Sequence, residues 1–389
     1  MVSSKEGVNL NYTADQLVLL AKRENNSIRP YLFVNPMQGK HIPTDPRDAI
    51  GMCQAIAEKV NDFYPDDLLY VIGFAETATG IASCITSFLK NAVYYQNTTR
   101  EFNDKDCILF SEVHSHATDQ LLRAEGIDRS LKRINRILFI DDEVTTGNTI
   151  CNLINMIKGR YAAEDIRFSI VSVLNSMSEE RYSELRQQGI DCLYLDRIPY
   201  EYKKDSILDV SYNPDKHILA QDNAVVNAAH SFVCPVNPRN IVSFQDYMTA
   251  VRDFAEMIRI SLLDDRVCLD KMLVLGTEEF MYPTFVVGEM LRQQGYAKTV
   301  RIHSTSRSPI IASEQKGYPL YCRYQIRSPY DSKRTTFVYN LQQYDRVFVL
   351  TDATDCSVGL SDLCKALSLS GNKNVTIVRW QYTEEGGNV

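Results

Sequence analysis

Residues 136–150 of the chain read RILFIDDEVTTGNTI. The apolar run predicts a buried strand, which delivers two adjacent acids, Asp141 and Asp142, at its carboxyl end. A turn rich in threonine follows, and a helical pattern starts at Thr149. Such a turn aims backbone N–H groups and hydroxyls at one phosphate monoester, and the N-terminus of the helix adds partial positive charge. The stretch therefore predicts a phosphate site at the end of a strand.

Short apolar runs alternate with helical patterns on both sides of this stretch. The runs expected to be strands are 68–74, 107–110, 137–140, 168–174 and 192–195, and the helical patterns cover 46–63, 80–90, 149–158 and 178–188. Continuous apolar runs are typical of strands that are buried on both faces of a parallel sheet. The alternation predicts an α/β domain with a doubly wound parallel sheet over residues 1–212.

The second half of the chain repeats the alternation. Strands are expected at 271–275, 299–303, 346–350 and 374–380, and helices at 246–262, 283–293 and 360–369. They predict a second, Rossmann-like α/β domain over 241–389, after a linker at 213–240 that contains a short helix near 224–230. Residues 307–337 contain three prolines and no clear period, which predicts a long functional loop or a small hairpin.

The two halves also share a pattern of motifs. Residues 73–76 follow a predicted strand with Gly-x-x-Glu, and residues 276–279 do the same in the second half. A later strand ends at Asp141 and Asp142 in the first half and at Asp352 in the second. Order and spacing agree, but few residues are identical. The second domain is therefore either a diverged duplicate of the first or an unrelated doubly wound domain.

Composition and charge limit the classes of partner. The 389 residues include 42 Lys and Arg against 49 Asp and Glu, a net charge of −7, which speaks against a broad nucleic-acid surface. No apolar stretch is long enough for a membrane span. The ten cysteines fall mostly in apolar runs and no secretory segment is evident, so we expect reduced thiols and a cytoplasmic protein. No Cys-x-x-Cys pair supports a zinc site.

Paired acids after an apolar strand also occur in phosphatases and response regulators. A phosphatase of the haloacid type needs an aspartate two positions after its nucleophile, where this chain has Glu143. A receiver domain places its acid pair near the start of the chain, whereas this pair lies at 141 and 142. Neither class accounts for the threonines and glycine of residues 145–149.

The full pattern, four apolar residues, two acids and then x-x-Thr-Thr-Gly-x-Thr, resembles the PRPP-binding signature of type I phosphoribosyltransferases (PRPP is 5-phosphoribosyl-1-pyrophosphate). Residues 71–80 are similar to the strand and loop that hold pyrophosphate in that family. Residues 29–34, 39–43 and 111–117 resemble motifs of a narrower group. This group comprises orotate phosphoribosyltransferase-like proteins with a C-terminal TRSP domain, from bacterial gene clusters associated with tellurium resistance and stress.

The TRSP domain takes its name from a Thr-Arg-Ser-Pro motif. Residues 305–309 of this chain read TSRSP, so that Ser306 stands where the motif has threonine. This is a mild departure, because serine keeps the hydroxyl group. The resemblance thus covers residues from both halves of the chain.

The resemblance implies an activity and a role for each motif. It implies that the phosphoribosyl group of PRPP is transferred to a nucleobase-like or other small acceptor, with Mg²⁺ assisting and pyrophosphate released. Asp141 and Asp142 would hold the ribose hydroxyls and, through them, the metal. The residues implied to bind pyrophosphate are Gly73, Phe74, Ala75, Glu76 and Thr77. Those implied at the 5′-phosphate loop are Glu143, Val144, Thr145, Thr146, Gly147, Asn148 and Thr149.

Residues 112–130 are expected to form a mobile lid over this site. Orotate-type enzymes place a lysine there, but this segment has none, which puts orotate itself in doubt as the acceptor. Glu112, His114 and His116 are the catalytic candidates in the lid. Either histidine contacts pyrophosphate or acts as an acid or base, or it simply caps a helix or is exposed.

Five further residues are candidates for contacts with substrate. Lys40 and His41 are either hood residues over the acceptor base or part of a solvated turn. Arg307 binds either an anionic group or a structural partner. Glu278 and Glu279 hold a cation or a substrate amine, or they cap a helix.

Two other functions remain open at this stage. A regulator that senses PRPP without turnover needs the same loop and acids, and a magnesium-dependent phosphatase or kinase-like enzyme also uses paired carboxylates. The expected partners are PRPP and a small-molecule acceptor. Enzymes of the resembled fold commonly form dimers, so a homodimer is compatible with the sequence.

Overall fold

The computed structural model describes residues 11–24, 29–101, 106–110, 120–161, 163, 165–199, 210, 216–217, 228–264, 266–353 and 357–382. The helices are α1 (Ala14–Leu17), α2 (Pro46–Phe63), α3 (Thr79–Thr86), α4 (Ile127–Leu131), α5 (Asn148–Tyr161), α6 (Glu179–Gln187), α7 (Phe244–Leu262), α8 (Tyr282–Gln293) and α9 (Ser357–Leu369). The first strands are β1 (Leu19–Lys22), β2 (Tyr31–Val34), β3 (Leu69–Gly73), β4 (Ala92–Asn97), β5 (Cys107–Phe110), β6 (Gln120–Arg123), β7 (Arg136–Val144), β8 (Arg167–Asn175) and β9 (Ile190–Arg197). The later strands are β10 (Lys216–His217), β11 (Ala228–Cys234), β12 (Val242–Ser243), β13 (Leu269–Gly276), β14 (Ala297–Ser304), β15 (Arg323–Arg327), β16 (Thr335–Tyr339), β17 (Arg346–Thr351) and β18 (Val375–Tyr382).

The described residues group into two compact units, each made of several stretches of chain. The first unit takes residues from 1–17, 50–202 and 237–247, and the second takes them from 18–49, 203–236 and 248–389. The domain boundaries expected from the sequence do not coincide with these units. Residues 18–49 pack with the second half of the chain, although they precede the first sheet.

The first unit contains the expected doubly wound parallel sheet. Its strand order is β12-β4-β3-β7-β8-β9, and only β12 runs antiparallel to its neighbour. All five residues of β3 are buried, as are the first five of β7. The α/β fold class predicted from the apolar runs is therefore confirmed.

One strand of this sheet differs from the prediction. The run 107–110 forms β5, which pairs only with β6 in a separate antiparallel hairpin, while the neighbour of β3 is β4. Strand β4 ends in Gln96 and Asn97, which are buried because the hydroxyls of Tyr70 and Tyr95 donate hydrogen bonds to their side-chain oxygens. A strand that contains buried polar residues with local partners is not found by a search for apolar runs.

The second unit contains a five-stranded parallel sheet of order β11-β18-β17-β13-β14. Strands β15 and β16 form the small hairpin that was one of two expectations for residues 307–337, and β10 pairs with β15. The prediction of a short helix near 224–230 is wrong for residues 228–230, because these residues begin β11. Part of the expected linker is thus a strand of the second sheet.

Residues 18–49 are held in the second unit by an apolar cluster and by backbone pairing. Strands β1 and β2 form an antiparallel hairpin, and Ala21 and Val34 pack with Ile310, Phe337 and Tyr339. The backbones of residues 44 and 302 also exchange two hydrogen bonds, of 3.0 and 2.9 Å. These contacts join residues far apart in sequence.

The two sheets share one topology. The order β4-β3-β7-β8 of the first sheet matches the order β14-β13-β17-β18 of the second. Register matches as well, since Gly73 pairs with Ile140 and Gly276 pairs with Leu350. The run 107–110, expected as a strand of the first sheet, takes no part in this match, because β5 lies outside the main sheet.

Nine cysteines lie in the described part of the chain and all are free thiols, five of them buried. None of the helices in the described ranges is long and apolar enough to cross a membrane.

A glycine is required at the end of β3. A Cβ atom at Gly73 would lie 2.6 Å from both the Ala82 Cβ and the Asn97 Oδ1, whereas one at Gly159 in α5 would meet nothing within 4 Å. We expect Gly73→Ala to lower the free energy of unfolding by about 1–3 kcal/mol through overpacking. Gly159→Ala should raise it by about 0.5–1 kcal/mol, because alanine is the better helix former. Urea unfolding followed by circular dichroism measures both; equal stability of the two variants would contradict this packing.

Candidate active site

The predicted site residues of the first unit lie where β3 and β7 end. These strands are parallel neighbours, so the segments that follow Gly73 and Ile140 leave the sheet at the same edge. The N–H of Phe74 donates to the carbonyl of Ile140 over 2.9 Å, which fixes the first segment against β7. In the sheet, β3 lies between β4, the next strand along the chain, and β7. This reversal of strand order makes the edge a topological switch point. Open α/β sheets bind ligands at such points.

The first loop, residues 74–78, contains four of the five residues expected at pyrophosphate, and the fifth, Gly73, is the last residue of β3. The N–H of Ala75 donates to Thr98 Oγ1 over 2.8 Å, and the N–H of Ala78 donates to the carbonyl of Phe74 over 3.1 Å. Glu76 is buried, and helix α3 begins directly after the loop at Thr79. The loop is thus a tight turn between a strand and a helix.

The acid pair is joined to this first loop. Thr77 Oγ1 donates a hydrogen bond of 2.8 Å to Asp142 Oδ1, and the N–H of Asp142 lies 2.9 Å from Asp141 Oδ1. Both aspartates are half-buried. A hydroxyl donor on one oxygen fixes the orientation of the Asp142 carboxylate, which has further acceptor sites for a ligand.

The threonine-rich turn needs its glycine. Gly147 has φ of +68°, a conformation that side chains rarely adopt, and a Cβ there would approach Met177 Cε to 3.0 Å. The N–H of Asn148 donates to Thr146 Oγ1 over 3.3 Å, and α5 begins at Asn148. The predicted phosphate loop therefore has the turn and the helix N-terminus that the sequence indicated.

Arg181 supports this loop, a role that the sequence pattern did not indicate. Its Nε donates to the carbonyl of Thr146 over 2.8 Å, and its Nη2 donates to Asn148 Oδ1 over 3.1 Å. Ser178 caps helix α6 by accepting a hydrogen bond from the N–H of Arg181. The cap was predictable from the sequence, but the reach of the arginine across to another loop was not.

The lid candidates Glu112, His114 and His116 lie outside the described residues. Of the expected lid, residues 120–130 are described and contain β6 and the start of α4. Thr98 Oγ1 donates to Gln120 Oε1 over 2.9 Å, and Thr98 also accepts from the N–H of Ala75. The base of the hairpin is thereby connected to the first loop.

The remaining five candidates all lie in the second unit, and the structure brings them together. Lys40 Nζ donates to the carbonyl of Glu278 over 2.7 Å, and Arg307 Nε donates to Glu278 Oε2 over 2.6 Å. Arg307 Nη2 lies 3.6 Å from Glu279 Oε1, and His41 Nε2 lies 3.1 Å from Ser306 Oγ. Lys40 and His41 are buried, so the alternative of a solvated turn is wrong.

Comparison with known families agrees with this geometry. Residues 17–193 match the family described as phosphoribosyl transferase, and residues 244–367 match the one described as TRSP domain C terminus to PRTase_2. The chain is thus similar to phosphoribosyltransferases over residues 17–193 and to TRSP domains over residues 244–367. The resemblance on which the sequence predictions rested is therefore confirmed. No curated protein matches the chain significantly in sequence.

Solved phosphoribosyltransferases resemble about half of the chain. An adenine enzyme (APRTase) from Giardia lamblia, complexed with 9-deazaadenine, is 12% identical and covers 48% of this chain and 97% of its own, with a TM-score of 0.34. Orotate phosphoribosyltransferase from Aeropyrum pernix is 14% identical and covers 49% of this chain and 93% of its own, with a TM-score of 0.30.

The contact between Arg181 and the phosphate loop can be tested by substitution. We expect Arg181→Met to weaken PRPP binding about tenfold, because the loop loses two hydrogen bonds and a nearby positive charge. Arg186→Met, on an exposed position of the same helix, is the matched control and should leave the affinity unchanged. Isothermal titration calorimetry measures both; equal affinities for the two variants would mean that Arg181 plays no part in the site.

Proposed function

We propose that the chain transfers the phosphoribosyl group of PRPP to a nucleobase-like or other small acceptor, assisted by Mg²⁺, and releases pyrophosphate. The observation that carries the proposal is the hydrogen bond from Thr77 to Asp142, which joins the loop after β3 to the acids after β7. A ligand that carries a diphosphate next to a vicinal diol can contact the first loop and the acid pair at the same time. The match of residues 17–193 to a phosphoribosyltransferase family supports the same activity.

The 5′-phosphate of PRPP would lie at residues 145–149. Backbone N–H groups and hydroxyls of this turn, together with the N-terminus of the 14-residue helix α5, suit a doubly charged phosphate. Arg181, which also pairs with Glu184, holds this loop in place through its contacts with Thr146 and Asn148. A chain with a net charge of −7 can therefore bind a polyanion by local groups.

The ribose would lie over the acid pair. Carboxylates of Asp141 and Asp142 accept hydrogen bonds from the two vicinal hydroxyls, and Thr77 keeps the second carboxylate in position. The pyrophosphate group would then face Gly73 and the first loop. This part of the chain orients the leaving group.

Magnesium fits this arrangement. Mg²⁺ prefers oxygen ligands and usually keeps substrate oxygens among them, and Asp141 and Asp142 would hold it indirectly, through the ribose hydroxyls that they bind. Within the described ranges no group of three or more His, Cys, Asp or Glu side chains is arranged to hold a metal ion, so the substrate would supply oxygens to the ion. When bound, the ion neutralises charge that develops on the departing pyrophosphate.

Catalysis in this arrangement depends mainly on position. The bond from C1 of the ribose to pyrophosphate breaks, and the nucleophile of the acceptor attacks C1 from the opposite face. Residues of the two loops hold the sugar and the leaving group in the geometry that this displacement needs. Glu112, His114 and His116 are the proposed acid, base or pyrophosphate contacts in the lid.

The central test replaces both acids. Asp141→Asn combined with Asp142→Asn should weaken PRPP binding in the presence of Mg²⁺ by at least about 100-fold, because two charge-assisted hydrogen bonds are lost. The matched control is Asp62→Asn with Asp66→Asn, two exposed aspartates before β3. Calorimetry measures affinity, and circular dichroism checks the fold. Unchanged affinity in a folded Asp141/Asp142 variant would refute the assignment.

A second measurement separates an enzyme from a sensor. Pyrophosphate release from PRPP is followed with a panel of purine and pyrimidine bases and with amine acceptors. We expect release with at least one acceptor, abolished in the Asp141/Asp142 variant. Saturable PRPP binding without release for any acceptor would contradict turnover and favour a PRPP-sensing regulator.

A further inference from the structure

The second sheet has a switch point of its own. In the sheet, β13 lies between β14, the next strand along the chain, and β17. The strand order therefore reverses at the carboxyl ends of β13 and β17. The segments that leave this edge follow Gly276, Ser304 and Thr351. The edge therefore occupies the place where open α/β sheets bind ligands.

Buried polar side chains are concentrated at this edge. Those with no exposed surface are Thr277, Glu278, Ser304, Thr305, Ser306 and Thr351. Burial of polar groups costs free energy unless each finds a partner, and apolar residues would cap a sheet at lower cost. These groups find partners within the edge, as in the hydrogen bonds from Thr277 Oγ1 to Thr351 Oγ1 and from the N–H of Glu278 to Thr305 Oγ1, so they are held in fixed positions.

Glu278 positions two arginines at this edge. Its buried carboxylate accepts from Arg307 Nε over 2.6 Å and from Arg334 Nη2 over 2.9 Å. The side chain of Glu278 is 0% exposed, whereas those of Arg307 and Arg334 are 13% and 24% exposed. A shared buried carboxylate fixes the orientation of both guanidinium groups, which are suited to bind phosphate and carboxylate groups.

Two arginines at this edge keep part of their surface exposed and can contact an anion. Lys40, Arg307 and Arg334 give three positive charges, and Glu278, Glu279 and Asp352 give three negative ones, so the edge carries no net charge. Lys40 is fully buried with its ammonium on the carbonyl of Glu278. Glu278 itself has φ of +45°, a conformation that is costly for a residue with a side chain and that occurs preferentially at functional sites.

An acid in the second sheet matches one of the acid pair in the first. Because Gly276 pairs with Leu350 as Gly73 pairs with Ile140, Asp352 occupies the position of Asp142. Asp352 Oδ1 accepts a hydrogen bond of 2.6 Å from the hydroxyl of Tyr330, which also lies 2.8 Å from Thr277 Oγ1. A hydroxyl donor thus joins the loop to the acid in both units, although no Thr-Thr-Gly sequence follows Asp352.

We propose that the carboxyl edge of the second sheet is a second ligand site, which binds a small hydroxylated compound that carries a phosphate or carboxylate group. Arg307 and Arg334 bind the oxyanion, and Asp352 accepts a hydrogen bond from a hydroxyl of the ligand. The arginines do here what the threonine-rich turn is proposed to do in the first unit. The site is made of residues of the second unit alone.

Trp380 offers a reporter for this site. It is the single tryptophan of the chain, and its ring centroid lies 5.9 Å from that of Phe280, which follows Glu279. Tryptophan fluorescence and calorimetry would be used with ribose 5-phosphate, gluconate and inorganic phosphate as probes. All titrations use the full-length Asp141→Asn, Asp142→Asn protein, so that binding of a sugar probe to the acid pair of the first unit does not contribute to the signal.

The proposal expects saturable binding of ribose 5-phosphate or gluconate with a change in tryptophan fluorescence. Arg307→Lys, which keeps the charge but loses the planar fork, should weaken binding at least tenfold. Asp352→Asn should weaken binding of the hydroxylated probe several-fold and leave inorganic phosphate unaffected. Arg266→Lys and Asp270→Asn, on exposed side chains of the same unit, are the matched controls. Tighter binding of ribose 5-phosphate than of gluconate identifies phosphate as the recognised group, and the reverse identifies carboxylate.

Two results would overturn the proposal. One is the absence of saturable binding for all three probes up to millimolar concentration in a folded protein. The other is binding that is equal in the Arg307→Lys variant, the Asp352→Asn variant and the controls, which would place the probe elsewhere. Neither result affects PRPP binding by the first unit, which is measured separately.

Discussion

Parallel pairing of β3 with β7, in a register that sets Gly73 opposite Ile140, is the constraint on which the candidate site depends. Because both strands end at one edge, the loop after β3 and the acids after β7 come within hydrogen-bond distance, and Thr77 donates to Asp142. If the register of this pairing shifted by one residue, the side chains of Asp141 and Asp142 would each point to the other face of the sheet. The close packing around Gly73 protects this register, since no larger residue fits there.

The second unit uses the same topology with different side chains. A strand-end acid is again joined by a hydroxyl donor, but Tyr330 comes from the segment between β15 and β16 and not from the loop after the neighbouring strand. Charged groups also differ, because Glu278, which binds Arg307 and Arg334, stands where the first unit has Ala75. The two units thus share a strand order and a strand-end acid, and they differ in the charged groups around that acid.

Much of the first site could be predicted from the sequence, because its residues are contiguous. Residues 136–150 contain the strand, the acids, the turn and the helix start, and α2 has the bounds that its helical pattern indicated. Strand β4 was missed because its polar residues are buried with partners that only the fold brings near. Arg181 and the packing of residues 18–49 with the second unit were missed for a related reason, since they depend on contacts between distant parts of the chain.

A crystal structure of the full chain with PRPP and Mg²⁺ tests the central claim most directly. The account predicts density for the 5′-phosphate at residues 145–149, with both ribose hydroxyls within 3 Å of carboxylate oxygens of Asp141 and Asp142, about the length of a charge-assisted hydrogen bond. The pyrophosphate should lie against residues 73–77. Density for PRPP elsewhere, with the acid pair and the turn free of ligand, would contradict it.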